Sequence, residues 1–171
     1  MNKFFDKIVD CFIFIVIIFT TICTFIIQIN VKQNTPLLVD DEFIPFLEQF
    51  KSDASKYQVI PDFKNMTTTF VSDLSGEVLA YCIPKFNTIK VSRFKWNQLD
   101  TLSKKLLLYH EWGHCTLKRE HVDNLTADYV SICPDSIMYP YMQPIAKCYN
   151  SNTDWYDKEL FTNFNNRELF P

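Results

Sequence analysis

Apolar and polar residues follow different rules in successive stretches of the chain. From Cys11 to Ile29 the run CFIFIVIIFTTICTFIIQI has no charged residue. A helix of that length, at about 1.5 Å per residue, matches a hydrocarbon core of about 30 Å. Past residue 40 the spacing turns helical and amphipathic, with Phe43, Phe46, Leu47 and Phe50 on one face. Asp40 or Asp41 is placed to cap that helix, and Pro45 falls in its first turn, where proline is tolerated. Three runs rich in β-branched and aromatic residues follow, TTTFVSDL (67–74), EVLAYCI (77–83) and TIKVSRFKW (88–96). Ser75-Gly76 is read as the turn of a hairpin between the first two.

From Asp100 the pattern becomes helical again, TLSKKLLLYHEWGHCTL, with Asp100 or Thr101 as cap. Residues 118–153 are rich in Pro, Asp, Asn and Tyr and read as irregular, with one helical turn around 124–131. A last short helix is expected at about 154–164, from Trp155, Leu160 and Phe161. This order of elements predicts an α+β fold. The divisions expected are a short cytoplasmic N-terminus (1–10), a transmembrane signal anchor (11–29), a linker (30–40) and one folded domain (41–171).

Charge sharpens the placement. Lys3 and Lys7 precede the apolar block, and Asp40-Asp41-Glu42 follows it, which favours a single-pass membrane protein with a cytoplasmic N-terminus and an exported domain. A cleaved signal peptide would have a shorter apolar region ending at small residues. Here the first alanine is Ala54, so an uncleaved anchor is the better reading. The net charge of −3 speaks against a nucleic-acid binder, which carries a basic patch. Beyond the block lie Cys82, Cys115, Cys133 and Cys148. An even number in an exported domain predicts two disulfides, and the absence of a CxxC spacing argues against a cysteine zinc site.

The candidate chemistry is His110-Glu111-Trp112-Gly113-His114, an HExxH motif inside a predicted helix. Histidines four apart leave one face of a helix and can share a metal ion, while Glu111, about 100° around from His110, is placed to accept a proton from water. Leu106, Leu107 and Leu108 leave little of the preceding turn facing solvent. A helix so buried should not carry a carboxylate without a role. Gly113 stands mid-helix, where it costs about 1 kcal/mol relative to alanine, and a close backbone contact would explain it. A catalytic zinc needs a third protein ligand. His121 is the remaining histidine, with Glu120, Asp123 and Asp128 as rivals. On a continued helix His121 would lie about 10 Å beyond His114, so the chain must leave the helix near Leu117–Arg119 and fold back.

HEWGHCTLKREH, followed by Ser136-Ile137-Met138-Tyr139-Pro140, resembles the metzincin metallopeptidases. The resemblance implies a single catalytic domain with a small mixed sheet, an active-site helix, a Met-turn and a C-terminal helix. It implies zinc held by His110, His114 and His121, Glu111 as general base, and Met138 as the floor of the site. The implied function is a zinc-dependent endopeptidase acting on a peptide or protein substrate, which would pair with an edge strand. TIKVSRFKW (88–96) or its neighbour is the candidate for that strand. Two departures stand out: Leu117 occupies the place of the glycine that permits the turn, and the third histidine comes one residue late, with Glu120 in the expected place. A non-glycine residue, Lys118 or Arg119, would then have to adopt a left-handed or otherwise unusual conformation. A Cys115–Cys133 bridge would fasten the third-ligand loop, leaving Cys82 with Cys148. The alternatives are a membrane-anchored binding or structural protein with a non-catalytic zinc site, and an HExxH protease of another clan with an acidic third ligand such as Asp128.

Overall fold

The structure is a computed structural model that describes Ile18, residues 37–127 and residues 132–163. Among these no helix is long and apolar enough to cross a membrane; the span expected at 11–29 lies outside them except for Ile18.

The first amphipathic stretch is a 3-10 turn, Asp41–Phe43, leading into helix α1, Ile44–Lys56. Its stripe is buried as the spacing requires, at Phe43, Leu47 and Phe50. The expected cap is not made. The Asp40 carboxylate accepts instead from the Phe70 N–H at 2.8 Å, which ties the helix start to the sheet. Just before it, Leu38–Val39 form a short strand, β1, within what was expected to be linker.

The other strands are β2 (Thr67–Val71), β3 (Ala80–Ile83) and β4 (Thr88–Ser92), in the order β1-β2-β4-β3. β1, β2 and β4 run parallel, and β3 is antiparallel to β4, with Cys82 opposite Ile89. The sheet is therefore small and mixed. One expectation is corrected here. β2 and β3 do not form a hairpin, because β4 lies between them. β4 is consequently interior, and its neighbour β3 is an edge. Gly76 does turn the chain, at φ +61°, but within a loop that carries it past the end of β4 to the far side. The Lys95 ammonium gathers that loop by donating to the carbonyls of Gly76 at 2.6 Å and Val78 at 3.0 Å, and to that of Leu74. The strand expected over 88–96 stops at Ser92, whose hydroxyl accepts from the Lys95 N–H and starts a short helix, α2 (Arg93–Trp96).

Helix α3, Thr101–Thr116, begins at Asp100, which accepts from the Ser103 N–H at 2.7 Å. It is buried nearly all round, at Leu106 to Tyr109, Glu111 to Gly113, and Cys115 and Thr116. It packs across β3 and β4. Phe50 of α1 lies against it, with ring centroids 5.0 Å from Tyr109 and 5.3 Å from Trp112.

The segment expected to be irregular holds more structure than its composition suggested. Leu125–Ala127 (β5) pairs antiparallel with Ile132–Pro134 (β6), where a helical turn was expected, and Met142–Tyr149 forms helix α4. Pro144 sits in the first turn of α4, where it removes no helical hydrogen bond. The last helix, α5, spans Thr153–Thr162. The fold is α+β, and two disulfides close it.

Their pairing is Cys82–Cys115 and Cys133–Cys148, not the expected Cys115–Cys133 and Cys82–Cys148. The reason lies in the helix face. Cys115 points at the sheet, with its sulfur 3.8 Å from the Thr88 carbonyl, whereas the third-ligand loop leaves from the side of His110 and His114. The first bridge thus fastens edge strand β3 to α3, and the second fastens β6 to α4.

Candidate metal centre

One turn of α3 brings His110 and His114 to the same face, and their rings meet edge-on with centroids 4.7 Å apart. Each ring is oriented from behind. His110 Nδ1 lies 2.8 Å from the carbonyl of Ile137, and His114 Nδ1 lies 2.6 Å from that of Arg119. A carbonyl only accepts, so both Nδ1 atoms carry the proton and donate it, and both Nε2 atoms present a lone pair.

His121 joins them because the helix ends where the sequence required. The Leu117 N–H still reaches the Gly113 carbonyl at 3.2 Å, then Lys118 takes φ +58°, the left-handed conformation expected of it or of its neighbour Arg119. The Arg119 N–H returns to the same Gly113 carbonyl at 3.0 Å. The Lys118 ammonium donates to the Cys115 carbonyl, covering part of the helix end. The reversal brings His121 Nε2 to 3.2 Å from His110 Nε2, itself 3.1 Å from His114 Nε2.

Nitrogens bound tetrahedrally to one small divalent ion at about 2.0–2.1 Å lie roughly 3.3–3.4 Å from one another. The observed spacing approaches that, and the donor set is right for such an ion. Burial presses His110 towards its neutral form, down to about 4, with His114 and His121 adding to the shift and the Ile137 carbonyl opposing it; burial lowers His114 likewise. Unprotonated nitrogens facing each other at this distance repel unless a cation sits among them. Among the described residues His110, His114 and His121 are the group that could hold a metal ion. Glu120 and Asp123, weighed as rivals for His121, are exposed and outside that group, and Asp128 lies outside the described residues.

Beneath the histidines runs a tight turn, closed by the Tyr139 N–H on the Ser136 carbonyl at 3.2 Å. Met138 is fully buried in it, and its carbonyl accepts from the Val122 N–H at 3.0 Å, next to His121. Here Gly113 finds its reason. A Cβ at that position would stand 2.5 Å from the Met138 sulfur and 3.2 Å from a methyl of Leu160. The rings of Tyr139 and Tyr141 meet edge-on with centroids 5.8 Å apart, the first half-buried and the second exposed.

Glu111 is buried, at 5% exposure. Burial pushes its carboxyl up to about 8, opposed by a hydrogen bond from the Cys82 backbone. The edge strand, its disulfide to α3 and Glu111 therefore meet at one place.

Sequence reasoning missed what stands behind the ligands. The Arg119 guanidinium is buried, donates to the Glu159 carboxylate, and reaches the carbonyls of Glu159 at 2.6 Å and Leu160 at 2.7 Å. Ser136 donates to the other Glu159 oxygen and accepts from the Met138 N–H at 2.9 Å. The sequence held no signal of it, since Arg119 and Glu159 lie forty residues apart, each beside other charged residues, Lys118 and Glu120 for the first and Lys158 for the second. The chain has no significant match among family models, curated proteins or solved structures.

Proposed function

We propose that this protein is a zinc-dependent endopeptidase of metzincin-like design. The carrying observation is the convergence of His110, His114 and His121 through Nε2, with two of the rings held by backbone carbonyls. Structural zinc sites are closed by four protein ligands, whereas catalytic sites keep a position open. The described group supplies three. The buried Met138 turn under the ligands, the left-handed turn before His121 and the outer edge of β3, unpaired among the described residues, support the same reading.

His110, His114 and His121 would hold the ion, which when bound supplies acidification of a water molecule and polarisation of the scissile carbonyl. Glu111, once ionised against the burial that raises its carboxyl, takes the proton from the attacking water. A C–O bond forms at the peptide carbonyl carbon, the C–N bond breaks, and Glu111 returns the proton to the departing amine nitrogen. Strand β3 offers its outer edge to an extended peptide, and its disulfide to α3 keeps that edge in register with Glu111. Two disulfides suit an oxidising compartment, which supports an exported domain behind a membrane anchor at 11–29.

The test is cleavage of an unbiased peptide mixture by the purified full chain, read by mass spectrometry. Glu111→Ala should lower turnover by about 10²–10⁴-fold while zinc stays bound, and a chelator should abolish it. Stoichiometric zinc with no cleavage by the wild type would instead mark a binding or structural protein with a non-catalytic ion.

A further inference from the structure

The two ligand-orienting carbonyls belong to Arg119 and to the residue after Ser136, and the side chains of Arg119 and Ser136 meet on one buried carboxylate that is no ligand itself. We propose that Glu159, acting through Arg119 and Ser136, is the positioning residue of the metal centre, so that docking of α5 sets its affinity and geometry. The inference rests on the metal reading above and assigns a role to residues outside the histidine motif.

The Glu159 carboxylate is buried, at 1% exposure. One oxygen receives the Arg119 guanidinium and the other the Ser136 hydroxyl. The Arg119 main-chain carbonyl receives His114 Nδ1–H at 2.6 Å, so the Glu159–Arg119 pair fixes the direction in which that ring points. Ser136 Oγ receives the Met138 N–H at 2.9 Å and so shapes the turn whose Ile137 carbonyl receives His110 Nδ1–H at 2.8 Å. The Met138 carbonyl in the same turn receives the Val122 N–H, next to His121. Through the side chains of Arg119 and Ser136 one carboxylate is thus linked to the two segments whose backbone lies beside the three rings. Arg119 also covers two carbonyls in the last turn of α5, where a cation is favoured by the helix dipole.

A merely structural role, holding α5 against the core, predicts something different. Tyr149 makes a comparable buried contact to the same helix, donating to Asp157 at 2.7 Å, but touches neither Arg119 nor Ser136. Tyr149→Phe therefore serves as the control for loosened packing.

The experiment titrates zinc into the full chain against a chromogenic chelator and records the absorption spectrum of the cobalt(II)-substituted protein. Glu159→Gln and Ser136→Ala should weaken zinc binding by about 10–100-fold, the usual effect of removing a group behind a ligand. They should also change the cobalt spectrum, while Tyr149→Phe alters neither. Ser136→Ala loses only a hydroxyl and carries the test should Glu159→Gln not fold. Wild-type affinity in Ser136→Ala and in folded Glu159→Gln, or equal weakening in Tyr149→Phe, would overturn the proposal. A wild-type protein that takes up no zinc in the same titration would remove the metal reading itself.

Discussion

At Gly113 and Lys118 the backbone meets conditions that most side chains would break. A methyl at Gly113 collides with the Met138 sulfur, so the gain in helix propensity is set against overpacking of a closed site. Gly113→Ala should destabilise by about 1–2 kcal/mol in urea unfolding. Adding Met138→Ala should make the pair less damaging than the sum of the two, because both act on one contact. Lys118 holds φ +58° without being glycine, at a cost of about 1 kcal/mol partly offset by its ammonium on the Cys115 carbonyl. Lys118→Gly should be near neutral. Lys118→Val, which cannot adopt that conformation cheaply and loses the contact, should cost about 1–2 kcal/mol and weaken metal binding through His121. Equal stability of the two variants would contradict the left-handed turn.

Between elements the disulfides and a second buried network add to the packing of the apolar core. Cys82–Cys115 spans 33 residues and Cys133–Cys148 spans 15. On the chain-entropy account their removal costs about 3.7 and about 3 kcal/mol respectively. Non-reducing peptide mapping should link those pairs, and a Cys115–Cys133 peptide would refute the fold around α3. The second network joins α1, α3, α4 and α5. Tyr109 donates to Asp53 at 2.7 Å, Lys105 donates to Tyr149 at 2.7 Å, and Tyr149 donates to Asp157. Burial raises Asp157 above its ordinary 3.8, against the lowering effects of Tyr149 and Lys105. The folded state then holds this proton to higher pH than the unfolded chain does. The group's contribution to stability is accordingly full below the unfolded value and is lost as pH rises through the folded one. Asp157→Asn should remove that loss, so urea midpoints of wild type and variant should diverge in the variant's favour as pH climbs from about 4.

For the molecule as a whole, the site exists only where α3, the loop after it, the Met138 turn and α5 meet. An ion bound there holds these pieces together and not merely three rings. Zinc at a hundred times its dissociation constant should stabilise by about 2.7 kcal/mol, seen as a higher melting temperature that a chelator reverses. His110→Ala should abolish the shift. A zinc-induced shift that survives in His110→Ala would place the ion elsewhere.

Local spacing carried much of this. The helix at 101–116, its Asp100 cap, the His110 and His114 face and the need for the chain to leave the helix before His121 all follow from interactions within a few positions. Such interactions are written in a short window of chain. Gly113 announced a close contact for the same reason, since a helix tolerates it only for cause. The partner in that contact, Met138, could be named only through resemblance to a motif. What no window contains is the order of strands. β2 and β3 look like a hairpin locally, but the loop gathered by Lys95 sends β3 past β4. The disulfide pairing follows from which face of α3 meets the sheet, and the Glu159 network joins residues that only packing brings together. Residue spacing determined the chemistry on offer; burial and long-range contact determined which groups aim it.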